Sequence, residues 1–165
     1  MKKLFCAIDN GVSGTIGIIS DNSIDFIKTP IKSEQNYTKK KGNITRIDFN
    51  KLREYLAEAT KGYSTEEIIV ALERPMVNPT RFQATTSALR ALEATLIAVE
   101  TLDLPYFYID SKEWQKELLP NGTKGDALKK ASVDIGSRLF PQFKDIKHPD
   151  RDGILMAEYL RRKFA

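Results

Sequence analysis

The chain has 165 residues, 41% of them hydrophobic and 29% charged, which suits one domain with a substantial core and leaves no room for two nucleotide-clasping lobes. Twenty-six Lys and Arg face 22 Asp and Glu, for a net charge of +4, a mild surplus that favours an acidic partner such as nucleic acid. A single cysteine, Cys6, excludes an internal disulfide and points to a reducing compartment, where it reads as a core residue.

Nothing approaches the roughly 18 continuous apolar residues of a membrane helix. Lys2 and Lys3 precede only a short apolar run with no small-residue cleavage pattern, so neither signal peptide nor membrane association is expected, and the protein is expected to be soluble and cytoplasmic.

Leu4 to Ile8 reads as a central strand, and Thr15 to Ser20 as a second after a Gly-rich turn. Asp21-Asn22 signal a hairpin into a third strand at Ile24 to Ile27. Ser33 to Asn43 is polar, contains Lys39, Lys40 and Lys41, and reads as a flexible basic loop, either solvated or contacting phosphates. Asp48 predicts an N-cap for a helix through about Ala59, with Phe49, Leu52 and Leu56 on one face.

Glu67 to Leu72 is another near-continuous apolar strand. Thr80 to about Leu102 predicts a long helix in which Leu89, Leu92, Leu96 and Val99 follow a three-four spacing beside a small-residue face. One such face suits the sheet, the other a second copy. Pro105 to Ile109 reads as a short strand, with Asp110 or Ser111 capping a helix through Trp114 and Leu118; helices follow at Asp126 to Phe140 and after Asp152. No repeat or second domain is evident, so residues 1–165 are taken as one α/β domain.

The acids at the strand ends do not look structural. Asp9 closes the first strand and Glu73 the fourth, while His148, Asp150 and Asp152 stand at the entrance to the last helix. If the first and fourth strands are parallel neighbours, Asp9 and Glu73 share one rim, which the last helix can reach with Asp152. At about 4 Å and an effective dielectric near 20, each like-charge pair costs roughly 4 kcal/mol, so the group must take up protons or bind cations. Hard divalent ions suit an all-oxygen set, Mg²⁺ first, and two of them can assist phosphodiester hydrolysis. The alternative is that these acids cap turns or pair with Arg, as Glu73 can with Arg74.

At these residues the chain resembles the RuvC type of Holliday-junction resolvase, within the RNase H-like nuclease superfamily. The similarity lies in "AIDNGVSGTIGII", "IIVALERP" and "HPDRDGILMAEYL", and, to bacteriophage members, in "ERPMVNPTRFQATTSALRALEA" and "SKEWQKELLP". The resemblance implies a mixed five-stranded sheet with helices on both faces. It implies Mg²⁺-dependent resolution of four-way or otherwise branched DNA by a homodimer that nicks two strands symmetrically, with Mn²⁺ a substitute and two ions per site. By position, Asp9, Glu73 and Asp152 match the metal-binding acids. Where the family often has an acid or His three residues before the last acid, this chain has Pro149, so Asp150 is preferred as the fourth ligand, with His148 kept as a ligand or water-positioning base.

Lys112 and Lys124 match basic positions flanking the family's cleft; Arg74 and Arg81 are candidates of the same kind, and Lys39 to Lys41 extend the basic set. Phe82 and Trp114 either stack on an opened base or belong to the core. Leu89, Leu92, Leu96 and Val99 are expected near the dimer axis. Three rivals remain: a sugar-kinase-like phosphotransferase, for which the length leaves no second lobe and hence no nucleotide cofactor is expected; a catalytically silent nucleic-acid-binding module; and a nuclease of RNA·DNA hybrids.

Overall fold

The computed structural model describes residues 2–165. Five strands form the main sheet: β1 (Leu4–Ile8), β2 (Thr15–Ser20), β3 (Ile24–Lys28), β6 (Ile68–Glu73) and β7 (Tyr106–Ile109), in the order β3-β2-β1-β6-β7. The first three pair antiparallel, and β1, β6 and β7 run parallel. The helices are α1 (Phe49–Thr60), α2 (Phe82–Thr101), α3 (Ser111–Leu118), α4 (Ala127–Leu139) and α5 (Asp152–Phe164).

Every residue of β1 is buried because both faces of the sheet are covered. Leu4, Cys6 and Ile8 join Leu52 and Leu56 of α1 and Ala98 and Val99 of α2 in one core. Phe5 and Ala7 join Trp114 of α3 and Ile154, Leu155 and Met156 of α5 in the other. The expected five-stranded mixed sheet with helices on both faces is therefore present, and Cys6 is fully enclosed. Asp48 caps α1 as expected, its side chain accepting from the Lys51 N–H. No helix among the described residues is long and apolar enough to cross a membrane.

The expected loop at Ser33 to Asn43 is corrected. Residues on either side of its tip form a separate antiparallel ribbon, β4 (Ile31–Gln35) with β5 (Asn43–Ile47), leaving only 36–42 as a loop. The ribbon buries little besides Ile47, so its strands lack the apolar alternation by which a strand is recognised.

A second correction concerns α2. Val99 is fully buried in its own domain's core and is unavailable to a partner, whereas Leu89 is 44% exposed and Leu92 and Leu96 are partly covered.

Candidate metal centre and nucleic-acid cleft

The parallel register places Ile8 opposite Leu72, so Asp9 and Glu73 stand side by side one step further on, at the carboxyl rim. Side chains alternate along a strand. Asp9 continues the row of Phe5 and Ala7, and Glu73 that of Ala71, the face covered by α5.

What brings α5 to the rim is a backbone contact without side chains. A Cβ on Gly17 of β2 would overlap the Gly153 carbonyl, so only glycine lets the start of α5 lie against β2. The Gly153 N–H donates to Thr15 Oγ1 at 2.9 Å, and the Thr15 carbonyl accepts from the Asp9 N–H at 3.0 Å. Thr15 thus ties the first strand's acid to the residue that follows Asp152.

Asp9, Asp150 and Asp152 each offer a carboxylate oxygen, and the three oxygens lie within 4.8 Å of one another. Glu73 flanks them: burial first, and then the Glu73 carboxylate within hydrogen-bond reach, hold the Asp9 carboxyl well above the usual carboxylate range, with Asp152 and Asp150 adding to the effect. Asp152 is pushed up to about 7 by burial and by Asp150, against the Ser132 hydroxyl, which donates to its Oδ1 at 2.6 Å and favours the charged form. The donor set is all carboxylate oxygen, and among the described residues no Lys or Arg forms an ion pair with it; the one basic group in range is the His148 ring, whose Nδ1 lies 3.6 Å from Asp150 Oδ1. Such a set fits a hard divalent cation such as Mg²⁺.

Several supporting groups were not visible in the sequence. Ser132 of α4 also accepts from the Arg151 N–H at 2.8 Å, so one hydroxyl sets the entry of α5 and the orientation of its acid. Arg151 is 4% exposed and donates to the carbonyls of His148, Asp150 and Ile146, with its alkyl chain against Gly136, where a Cβ would overlap it. A buried guanidinium bonded to carbonyls thereby pins the segment that carries Asp150. The signal for such roles, contact between distant helices, is absent from a local pattern.

Two sequence readings change here, those of His148 and Trp114, and Asp150 gains a second contact. His148 Nε2 donates to the Ser13 carbonyl at 2.9 Å while Nδ1 accepts from the Asp150 N–H at 3.2 Å. With both ring nitrogens occupied, His148 bridges the Gly-rich turn and the Asp150 segment, and its expected ligand or base role gives way to positioning. Asp150 Oδ1 accepts from the Asp152 N–H at 3.1 Å, so this acid also closes the first turn of α5. Trp114 is fully buried, and its indole N–H donates to Glu73 Oε1 at 3.3 Å, which removes it from the candidates for base stacking.

Beside the acids opens a cleft of about 950 Å³ whose lining includes Asn10, Glu73, Arg74, Arg81 and Lys112. Arg74 pairs with Asp110 at 3.0 Å on its wall. An adjoining pocket of about 380 Å³ continues past Lys112 to Lys116 and Lys124. Phe82, 77% exposed, stands at the start of α2 next to Arg81. Lys39, Lys40 and Lys41 line neither cavity and stand at the tip of the β4–β5 ribbon.

No protein-family model matches the sequence, and no curated protein matches it. Among solved structures, RuvC of Thermus thermophilus in complex with a Holliday junction substrate superposes with a TM-score of 0.54 at 10% identity, covering 98% of this chain and 96% of that one. A second Thermus thermophilus RuvC structure gives 0.52 at 12% identity over 97% and 96%. The chain has the RuvC fold. The resemblance seen in the sequence thus extends to the architecture over nearly the full length of both chains.

Proposed function

We propose that this RuvC-fold protein is a divalent-metal-dependent endonuclease of branched DNA, with four-way junctions as its substrate. The observation that carries the reading is the convergence of Asp9, Asp150 and Asp152 from β1 and the entrance to α5, their oxygens within 4.8 Å, beside a cleft with basic walls. Support for the substrate class comes from the likeness to a RuvC in complex with a Holliday junction substrate.

In this reading Asp9, Asp150 and Asp152 hold the cation, with Glu73, steadied by Trp114, beside them. When bound, Mg²⁺, as two ions or with Mn²⁺ in its place, supplies activation of a water and stabilisation of the leaving oxygen. Arg74, Arg81 and Lys112 in the cleft, and Lys124 beyond it, hold backbone phosphates, and Phe82 stacks on an unpaired base at the mouth. Phosphate contacts fix position without reading sequence, so junction shape governs recognition. Paired nicking follows from a two-fold homodimer, with the exposed side of α2 around Leu89, Leu92 and Leu96 at the interface. The working compartment is the cytoplasm, that of a bacterial host if the gene is a phage's.

The test is nicking of a synthetic four-way junction in Mg²⁺. The parent protein should cut, and Asp9→Asn should lose more than about 100-fold of the rate, beyond the range typical of outer-shell changes, while still binding the junction. A parent that binds but never cuts in Mg²⁺ or Mn²⁺ is a binding module, and one that prefers RNA·DNA hybrids is a different nuclease. Sedimentation with and without DNA checks the dimer.

A further inference from the structure

We infer that the β4–β5 hairpin is a DNA-gripping arm that holds a duplex outside the cleft and supplies the protein's long-range attraction to DNA; the inference rests on the nucleic-acid reading above. Residues 31–47 contain five cations, Lys32, Lys39, Lys40, Lys41 and Arg46, against one acid, Glu34. That excess equals the net charge of the whole chain, +4. Outside the hairpin the protein is formally neutral, so its attraction for a polyanion is concentrated there.

The charge is also sorted within the hairpin. Glu34 pairs with both Lys32 and Arg46 at 2.8 Å, on the body of the ribbon. Lys39, Lys40 and Lys41 at the tip are exposed and form no ion pair among the described residues. Tyr37 beside them is 94% exposed and contributes nothing to a core.

The tip is nonetheless built. The Asn36 N–H donates to the Gly42 carbonyl at 2.8 Å and closes the loop, while the Thr38 N–H donates to Asn36 Oδ1 at 3.2 Å and the Thr38 hydroxyl has the Lys40 carbonyl as an acceptor at 2.7 Å. A solvated linker has no need of such internal order. The hairpin is rooted at the rim that carries the acids: the Thr29 N–H donates to the Gly14 carbonyl, and the Asp48 N–H to that of Pro30.

Each strand of the ribbon has five residues. At about 3.4 Å per residue this is a rod of roughly 17 Å, or about 5 base pairs of duplex. Its exposed lysines and Tyr37, outside both cavities, suit the backbone of a duplex arm that has left the cleft. The partner is the duplex arm of the substrate, recognised by its phosphates and not by its sequence.

The experiment compares the parent with Lys39→Ala/Lys40→Ala/Lys41→Ala on four-way junctions with arms of about 20 and about 5 base pairs, and on plain linear duplex, by anisotropy across a salt series. Expected are at least a roughly tenfold weaker Kd at about 0.1 M salt on long arms and on duplex, a log-log salt slope shallower by about two to three, and little change on short arms. Thermal unfolding confirms that the tip variant folds. Unchanged affinity and slope on long arms would overturn the arm, as would equal losses on short and long arms, or a changed oligomeric state with an unchanged slope. A parent that binds none of these DNAs would instead sink the nucleic-acid reading itself.

Discussion

The last helix carries one carboxylate at its start and another at its middle, and the two meet different surroundings. Glu158 is 4% exposed, yet its pKa lies below the ordinary 4.5: burial opposes the shift, but hydrogen bonds and charge from Arg161 and Arg162, at 2.7 to 2.8 Å, outweigh it. At the start of the helix Asp152 has no paired arginine, and burial, with Asp150 and Glu73 beside it, raises its pKa to about 7. Arg151 next to it turns its terminal NH groups to backbone carbonyls and not to the acids. Where a fold needs charge neutralised for its own stability, the chain supplies the cation next door; where it supplies none, the carboxylates take up protons or bind a cation from solution.

This contrast makes the largest effects fall at the amino end of α5. Gly17→Ala should force the helix start away from β2 and cost about 1–3 kcal/mol, and with Asp152 displaced, Mn²⁺ binding followed by calorimetry should vanish. Retained binding would show that the close approach of Gly17 and Gly153 does not set the site.

A pH series should separate the two carboxylates of the helix by sign. Asp152 has a folded pKa above its unfolded value, so the folded state binds more protons between about 3.8 and about 7; metal-free stability should therefore fall as pH rises through that window. Saturating Mg²⁺ should flatten or reverse the slope. Glu158 behaves oppositely: its contribution is complete above 4.5 and disappears as pH drops through its lower folded value, so Glu158→Gln should remove part of the acid-side decline. Denaturant midpoints at each pH, with and without Mg²⁺, read both.

Smaller effects follow for the groups that orient the acids. Ser132→Ala should leave the Arg151 N–H unpaired, costing about 1–3 kcal/mol, and weaken metal binding by about 10- to 100-fold. Mutating the three lysines at the hairpin tip should change stability by less than about 0.5 kcal/mol, as expected for exposed positions away from any contact.

The strands of the main sheet and the acids at their ends were legible because β1 and β6 are buried on both sides and read as unbroken apolar runs, against which Asp9 and Glu73 stand out. The pairing of those two acids was also foreseeable, since parallel strands align their carboxyl ends. The ribbon was not, because a two-stranded element on the surface buries too little to leave an alternating pattern. Nor were the duties of Ser132, Arg151 and Trp114, which depend on where α3 and α4 dock against α5. His148 illustrates the limit: its residue type suggests a ligand, but its neighbours Ser13 and Asp150 occupy both nitrogens.

The indole that steadies Glu73 belongs to the chain's one tryptophan. Its ultraviolet emission is therefore a label-free gauge of what happens at the acids, since charge arriving next to Glu73 alters the field across the ring. Titrating Mg²⁺ into the native protein and watching that glow shift would report occupancy with no DNA, dye or substitution.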